Sequence, residues 1–370
     1  MGMRISWITG RRAGSDLASS TERGISRSVE KMGYKIHMIS PGSGNFGTYR
    51  HSRLKQSKVK GLQTISASRN CLDLFGREKQ LIDWSEMFLI DWRFVPGLWK
   101  VLKRTGKPWF VIDRGPPAYS GILARLQSFQ WRRAWGIASK NATGGFVVSP
   151  THEDFVRMII GDGMKIASVP AGTNVKEFNF HQKCPRNIVK FVYCGRLDFN
   201  RGMDKIIRLL DTIENLPIKA RITIAGSGDW ESEIRRISDE EENLDFLGEV
   251  SFKEICKLLE ESHVGIMPMP DTEIWRTSSP LKLAEYLAAG LITVGPKHQG
   301  NSLEGENSWS LLSEGKNWHE DCIGMISDLL KSHSWEGVSE QSRMASEKLD
   351  WEGIGSVFIQ DLRAMMGQPL

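Results

Sequence analysis

Short runs of apolar residues, closed by glycine, proline or small polar residues, alternate along the chain with longer stretches whose apolar positions recur at helical spacing. In the first half the extended runs are Arg4–Ile8, Lys35–Ser40, Phe88–Trp92, Trp109–Asp113 and Phe146–Ser149, and the helical stretches are Asp16–Lys31, Pro96–Arg104 and Gly121–Ser139. This is the pattern of βα units around a parallel sheet. A helix from Thr151, read as its N-cap, to Ile160 and a strand Ile166–Val169 complete the series. A second series of the same kind has strands at Ile188–Tyr193, Ala220–Ala225, Phe246–Leu247, Val264–Met267 and Ile292–Val294, with helices at Asp204–Glu214, Trp230–Ser238, Phe252–Glu260 and Pro280–Ala289. The pattern predicts two doubly wound α/β domains, residues 1–170 and 188–350, with a linker at 171–187 whose polar, proline-containing part is Lys176–Asn187. Two such domains in tandem would leave a cleft facing the carboxyl ends of both sheets, where these folds take nucleotide or phosphate ligands.

Composition sharpens this picture in two places. The five cysteines are widely spaced with no C-x-x-C pair, which argues against a disulfide framework or a structural zinc and for a reducing, cytoplasmic setting. Charge is divided unevenly: residues 1–150 carry 25 Lys and Arg against 9 Asp and Glu, whereas the remainder is acidic. A basic first domain fits a polyanionic partner, an anionic lipid surface among them, or a plain solvated face. The basic residues are scattered and form no nucleic-acid reading motif, so nucleic acid is not expected as a partner. The most apolar stretch, Leu281–Gly295, is short and interrupted by Lys282 and Glu285, so no membrane span is expected, and the start of the chain reads as a first strand rather than a signal peptide.

Candidate chemistry concentrates in the second series. After the strand ending FVYC come Gly195 and Arg196, then Arg201 and Gly202 directly before a helix. Two guanidiniums on one loop at a strand's carboxyl end, beside the unpaired N–H groups of a helix start, suit a pyrophosphate. The next strand runs into Gly226-Ser227-Gly228, glycines that permit a tight turn or close approach to a ligand. This is not G-x-G-x-x-G, since Glu231 holds the third position, so a dinucleotide cofactor is not indicated. Farther on, Ser278, Ser279 and Pro280 lead into a helix as capping residues and offer a second anion site, with Glu285 placed to accept bonds from a ribose diol.

The runs GRLDFNRG, IAGSGD and SSPLKLAEYLAAGLITVG, with PAGTNVKEF upstream and LDWEGIGSVFIQDL at the end, together resemble glycosyltransferase family 4 over roughly residues 166–360. The resemblance implies the GT-B fold, two Rossmann-like domains facing across a cleft, with a final helix in 351–370 that crosses back to the first domain. It implies transfer of a sugar, with retention of anomeric configuration, from a nucleotide-sugar donor to a glycan or lipid-linked acceptor in cell-surface polysaccharide or glycoconjugate synthesis. Gly195, Arg196, Arg201, Gly226, Gly228, Ser278, Ser279 and Glu285 then become donor-binding residues, with Arg196 and Arg201 also catalytic through the leaving phosphate. The family's E-x7-E motif is matched at Glu285, but its first position is Thr277 here, with Asp271 and Glu273 nearby. Arginines and a helix start stabilise a departing phosphate without a metal, and neither metal nor cofactor is expected.

The first domain offers less. The strand ending at Asp113 runs into Arg114-Gly115-Pro116-Pro117, and Asp113 is expected to orient acceptor or sugar, as catalytic residue or acceptor contact, beside Arg114. The loop Gly10–Ser15 brings Arg11 and Arg12 as further acceptor contacts. The acid-free segment Arg50–Lys60 and the helix Ile122–Trp135 mix basic and bulky apolar residues in a way that fits either a membrane-surface helix or one packed on the sheet. A GT-B sugar epimerase or phosphorylase, or a non-catalytic nucleotide-sugar-binding module, are the competing readings.

Overall fold

The structure, a computed structural model, describes residues 2–13, 20–42, 44, 46–59, 63–77, 79–117, 121–181, 184–305 and 307–368. It divides into two units, Met1–Pro170 together with Trp351–Leu370, and Ala171–Asp350.

The first unit is a parallel sheet of seven strands: β1 (Arg4–Ile8), β2 (Lys35–Ser40), β3 (Arg50–Arg53), β4 (Met87–Asp91), β5 (Trp109–Ile112), β6 (Gly144–Val147) and β7 (Ile166–Ser168), in the order β3-β2-β1-β4-β5-β6-β7. Its central strands are apolar on both faces, as strands covered on two sides must be. Ile5, Trp7, Met87, Leu89, Phe110 and Ile112 enter one core layer, whereas Ile8, Phe88, Ile90, Trp109 and Val111 enter the other. The first of these layers is closed by the last helix, Trp351–Met365, through Ile354, Phe358, Ile359, Leu362 and Met365. That helix lies hard against the helix Ser20–Lys31, where a Cβ on Gly24 would overlap the Trp351 ring and one on Gly355 would overlap Ser28. Lys31 pairs with Glu352 at 2.6 Å across the same seam.

The second unit holds six parallel strands: β8 (Ile188–Cys194), β9 (Lys219–Ala225), β10 (Leu244–Gly248), β11 (Val264–Ile266), β12 (Ile292–Pro296) and β13 (Ser310–Ser313), ordered β10-β9-β8-β11-β12-β13. In both sheets the chain reverses its direction of travel beside the central strand, between β1 and β4 and between β8 and β11. Open α/β sheets bind ligands beyond the carboxyl ends of the strands at that point.

Several elements depart from the sequence expectation. The strand β3 reads Arg-His-Ser-Arg and carries no apolar signal, because it is an edge strand paired only to β2. Helices Gln63–Arg77, Trp318–Lys331 and Trp335–Ser346 were not visible in the pattern either. The helix expected from Thr151 is capped two residues earlier, by Ser149, whose hydroxyl accepts from the His152 N–H with Pro150 in the first turn. The helix expected from Asp16 is seen from Ser20, residues 14–19 lying outside those described. Residues 171–187, read as a linker, fall in the second unit. Val175 and Phe178 enter its core, and the Thr173 N–H donates to Leu349 O at 2.9 Å, so two apolar side chains anchor an otherwise polar segment; Gln182 and Lys183 of that segment are outside the described residues.

Candidate functional site

At the carboxyl end of β8 the backbone turns through Gly195 at φ +153°, and the neighbouring loop turns through Gly226 at φ +141°. The Gly195 N–H donates to Ala225 O, the Leu197 N–H to Ser227 O, and a Cβ on Gly226 would overlap the Gly195 carbonyl. A Cβ on Gly228 would likewise meet the Leu197 backbone. Gly226 and Gly228, expected to approach a ligand, thus answer first to the protein's own adjoining loop: two strand-end loops interlock and hold the following residues rigidly.

Those residues are Arg196, Asp198 and Arg201. Arg196 forks onto Asp198, Nε to Oδ2 at 3.2 Å and Nη2 to Oδ1 at 2.8 Å, and remains more than half exposed. Arg201 Nε lies 3.5 Å from Asp198 Oδ2, and its guanidinium stacks on Trp275 at 5.0 Å from the ring centre. Partial burial pushes the Asp198 carboxyl up, but the bonds and charge of Arg196 and the charge of Arg201 outweigh it and hold the group below its ordinary value.

Across the switch point, the loop after β11 leads into the helix Leu281–Ala288. Tyr286 fixes this helix on the sheet: its hydroxyl accepts from the Cys194 N–H at 3.2 Å, and its ring covers Gly265 of β11. One turn earlier, Lys282 lies over Gly195 with its ammonium 5.1 Å from the centre of the Tyr193 ring, in the space a Cβ at Gly195 would fill. Glu285 follows at i+3. Neither Lys282 nor Glu285 has a hydrogen-bond or ion-pair partner among the described residues. Burial raises Glu285 to about 7 against the pull of Lys282, and burial together with Arg201 lowers Lys282 to about 8 against the pull of Glu285.

The serines do not act as expected. Pro280, not a serine, is the N-cap, and it has no side-chain bond to the helix. The Ser279 hydroxyl accepts from the Ala171 N–H at 2.9 Å, and Ser278 donates to Trp275 O at 2.7 Å, so both brace the loop. Thr277, where the resemblance places a glutamate, is buried with its hydroxyl on Ile274 O, while Asp271 is tied to Arg276 by bonds of 2.5 and 2.8 Å.

In the first unit Asp113 is fully buried. Its Oδ1 accepts from the Gly115 N–H at 3.0 Å; its Oδ2 accepts from the indoles of Trp131 at 2.5 Å and Trp135 at 2.8 Å and lies 3.4 Å from His152 Nε2. Burial would raise this carboxyl, but the charge and hydrogen bond of His152 and the two indole bonds together keep it below its ordinary value. The expectation that Asp113 meets an acceptor is therefore corrected: strand-end placement aimed it inward, where it ties β5 to the helix Gly121–Asn141. Arg114 donates to Val169 O at 2.7 Å and is pushed down to about 10 by burial, with Glu22 and Asp113 opposing and Arg11 adding to the shift. Arg12 holds Gln56 at 3.3 Å; Gly14 and Ser15 of the same loop are outside the described residues.

Three residues were missed by sequence reasoning. Lys282 sits three positions before Glu285 on a helix, so the two share a face, a spacing that could have found it. Asp198 lies between the two arginines on their own loop. Glu22 gave no signal; it is buried near Thr9, one of its oxygens without a hydrogen bond, and burial raises it against the charges of Arg11 and Arg114. Among the described residues, no group of three His, Cys, Asp or Glu side chains is arranged to hold a metal ion, and no helix is long and apolar enough to cross a membrane.

Residues 189–332 match the family model described as glycosyl transferases group 1. No curated protein matches the sequence. Among solved structures, the sucrose-phosphate synthase of Thermosynechococcus elongatus superposes with a TM-score of 0.77 at 14% identity, over 99% of each chain. HepE of Anabaena, solved with UDP and glucose, gives 0.73 at 13% over 98% of this chain and 100% of that one. WaaG, a glycosyltransferase involved in lipopolysaccharide biosynthesis, gives 0.68 at 11% over 98% and 100%. At such identities the likeness is one of fold, and the fold is GT-B along the whole chain.

Proposed function

We propose that this chain, whose residues 189–332 match the group 1 glycosyltransferase model, transfers a sugar from a nucleotide-sugar donor bound at the switch point of the second unit. The observation that carries this reading is the pair Lys282 and Glu285, an ammonium and a carboxylate without hydrogen-bond or ion-pair partners among the described residues, set on one helix face beside Arg196 and Arg201. A diphosphate takes the cations and a ribose diol takes the carboxylate. As the glycosyl–phosphate bond breaks, negative charge grows on the leaving phosphate, and fixed cations stabilise that charge more than they stabilise the ground state. Retention at the anomeric carbon is part of the proposal on the strength of the family resemblance. Melting curves of the protein with UDP, GDP, ADP and their sugar conjugates test it: one nucleotide class should raise Tm by mass action, and Glu285→Ala should abolish that response. No shift with any of them would sink the donor site.

The charge pair also sets a pH dependence. Glu285 accepts from a diol only when ionised and Lys282 binds phosphate only when protonated, so nucleotide affinity should peak between about pH 7 and 8 and fall on both sides. Stability runs the other way for the acid: a carboxyl whose folded value is raised gives stability that is full below its unfolded value of about 4.5 and lost as pH rises through about 7. Glu285→Gln should therefore melt higher than the parent at pH 8, by about 1 kcal/mol for a half-buried group, and equal it at pH 4.5, while binding nucleotide less well.

We further propose a glycan or lipid-linked acceptor for the first unit, used in cell-surface polysaccharide or glycoconjugate synthesis at the cytoplasmic face of an anionic membrane. On the helix Gly121–Asn141, Trp131 and Trp135 face the core, while Leu126 and Phe129 stand 58% and 62% exposed among exposed Arg125, Arg132 and Arg133. An apolar edge rimmed by guanidiniums suits anionic headgroups. The protein should sediment with vesicles containing phosphatidylglycerol and not with pure phosphatidylcholine, and Phe129→Ser with Arg132→Ser should cut that binding at least fivefold; equal binding to both vesicle types would exclude the membrane role.

A further inference from the structure

The two guanidiniums that this donor site turns toward phosphate share one carboxylate of the protein. Asp198 accepts the fork of Arg196 and lies 3.5 Å from Arg201 Nε. The loop's fold does not depend on that side chain. Asp198 makes no side-chain cap to the turn Phe199–Arg201, which is closed instead by the Arg201 N–H on the Asp198 backbone carbonyl at 3.0 Å. Arg201 has a second support in Trp275, whose indole is itself pinned to Asn200 O at 3.0 Å. A carboxylate unnecessary to the backbone, yet forked by one cation of a phosphate site and ion-paired at 3.5 Å with the other, has the geometry of an internal competitor.

We propose that Asp198 stands in for phosphate in the nucleotide-free protein and, by competing for Arg196 and Arg201, limits how tightly the diphosphate product is held. The inference rests on the donor-site reading. Exchange of a carboxylate for a phosphate on a guanidinium replaces one charge-assisted fork by another, so the net gain on binding is the difference between the two. Lys282, which has no such partner among the described residues, is the cation a diphosphate meets without displacing anything. Product and donor carry the same diphosphate, so a site with every cation free would hold the product as firmly as it captures the donor, and release often limits turnover. Asp198 is on this account a positioning and release residue that never touches the reacting sugar.

Asp198→Asn is the test, because the amide keeps the shape and the backbone bond and removes the charge. With UDP, GDP and ADP as probes, and inorganic pyrophosphate as the diphosphate alone, calorimetry should show the preferred nucleotide bound about tenfold tighter by Asp198→Asn, and stopped-flow displacement should place the change mainly in a slower off-rate. Pyrophosphate should follow the same trend. The gain should vanish in an Arg196→Ala background, since the competition acts through that side chain. Asp198→Ser should give the same direction, which covers a folding failure of the first variant. Weaker or unchanged binding by both variants, with Arg196→Ala also weak, would mean that Asp198 only orients the arginines and would overturn the inference while leaving the donor site standing. If the parent protein binds none of the probes, the donor-site reading and this inference fall together.

Discussion

Asp113→Ala is expected to lower the stability of the first unit by about 3–5 kcal/mol, the usual consequence of taking one partner from a buried, hydrogen-bonded ionic cluster. The variant strands four groups at once: the indole N–H of Trp131, that of Trp135, the Gly115 N–H and the ring of His152, all of which converge on this carboxylate. Each buried donor left without an acceptor costs about 1–3 kcal/mol, and partial relaxation brings the total back into the stated range. Asp113→Asn should recover only part of the loss, because its NH2 would face an indole N–H. Urea unfolding followed by tryptophan fluorescence reads the effect directly, since two of the reporters are bonded to the side chain removed. The same experiment separates a structural from a catalytic Asp113. A catalytic contact would leave the unfolding curve in place and abolish transfer; the geometry requires the curve to move.

Lys282→Ala and Arg196→Ala should each weaken nucleotide diphosphate binding by about ten- to a hundredfold, the worth of one charge-assisted hydrogen bond of about 1.5–3 kcal/mol. The same factor should appear in kcat/KM if, as proposed, both cations meet a phosphate whose charge grows as the sugar departs. They should differ in the absence of nucleotide. Arg196 is exposed and already paired, so its loss is nearly neutral for folding. The Lys282 stem fills the space over Gly195, and its charge opposes the rise of Glu285, so Lys282→Ala both opens a gap and drives Glu285 further toward its neutral form. Lys282→Met keeps the stem and isolates the charge. Calorimetric affinity for UDP, GDP or ADP that survives Lys282→Met intact would remove Lys282 from the site.

How much of this was readable from the amino acids alone depended on where the signal lay. Strands buried on both faces announce themselves as apolar runs, so β1, β2, β4, β5, β8 and β12 were found with small errors at their ends, and β9, exposed on one face at Lys219 and Arg221, was found by the alternation of its apolar residues. The edge strand β3 has no apolar face, and nothing in Arg-His-Ser-Arg distinguishes it from a basic loop. Arg196, Arg201 and Glu285 were legible because loop and helix are local in sequence and the structure brings them to one end of the second sheet. Asp113 was misread because its partners lie 18, 22 and 39 positions on, at Trp131, Trp135 and His152, and only the fold shows which way the carboxylate points. The capping role of the serines before Pro280 was misread for a related reason: Ser279 is claimed by a backbone N–H from a segment 108 residues away.

The seam between Ser20–Lys31 and Trp351–Met365 has a consequence for the order of events at the ribosome. One core layer of the first unit is finished by Phe358, Ile359 and Leu362, which are made after the whole of Ala171–Asp350 has been synthesised. Until then Trp7, Leu89 and Phe110 have only the cover that Ile25 and Val29 of Ser20–Lys31 supply on that side, and the nascent sheet keeps part of its apolar surface open while the second unit, contiguous in sequence, can already close around its own core. The first unit, begun before the second, is thus finished after it, and a premature stop between residues 170 and 354 would release a first unit with one wall missing, prone to self-association.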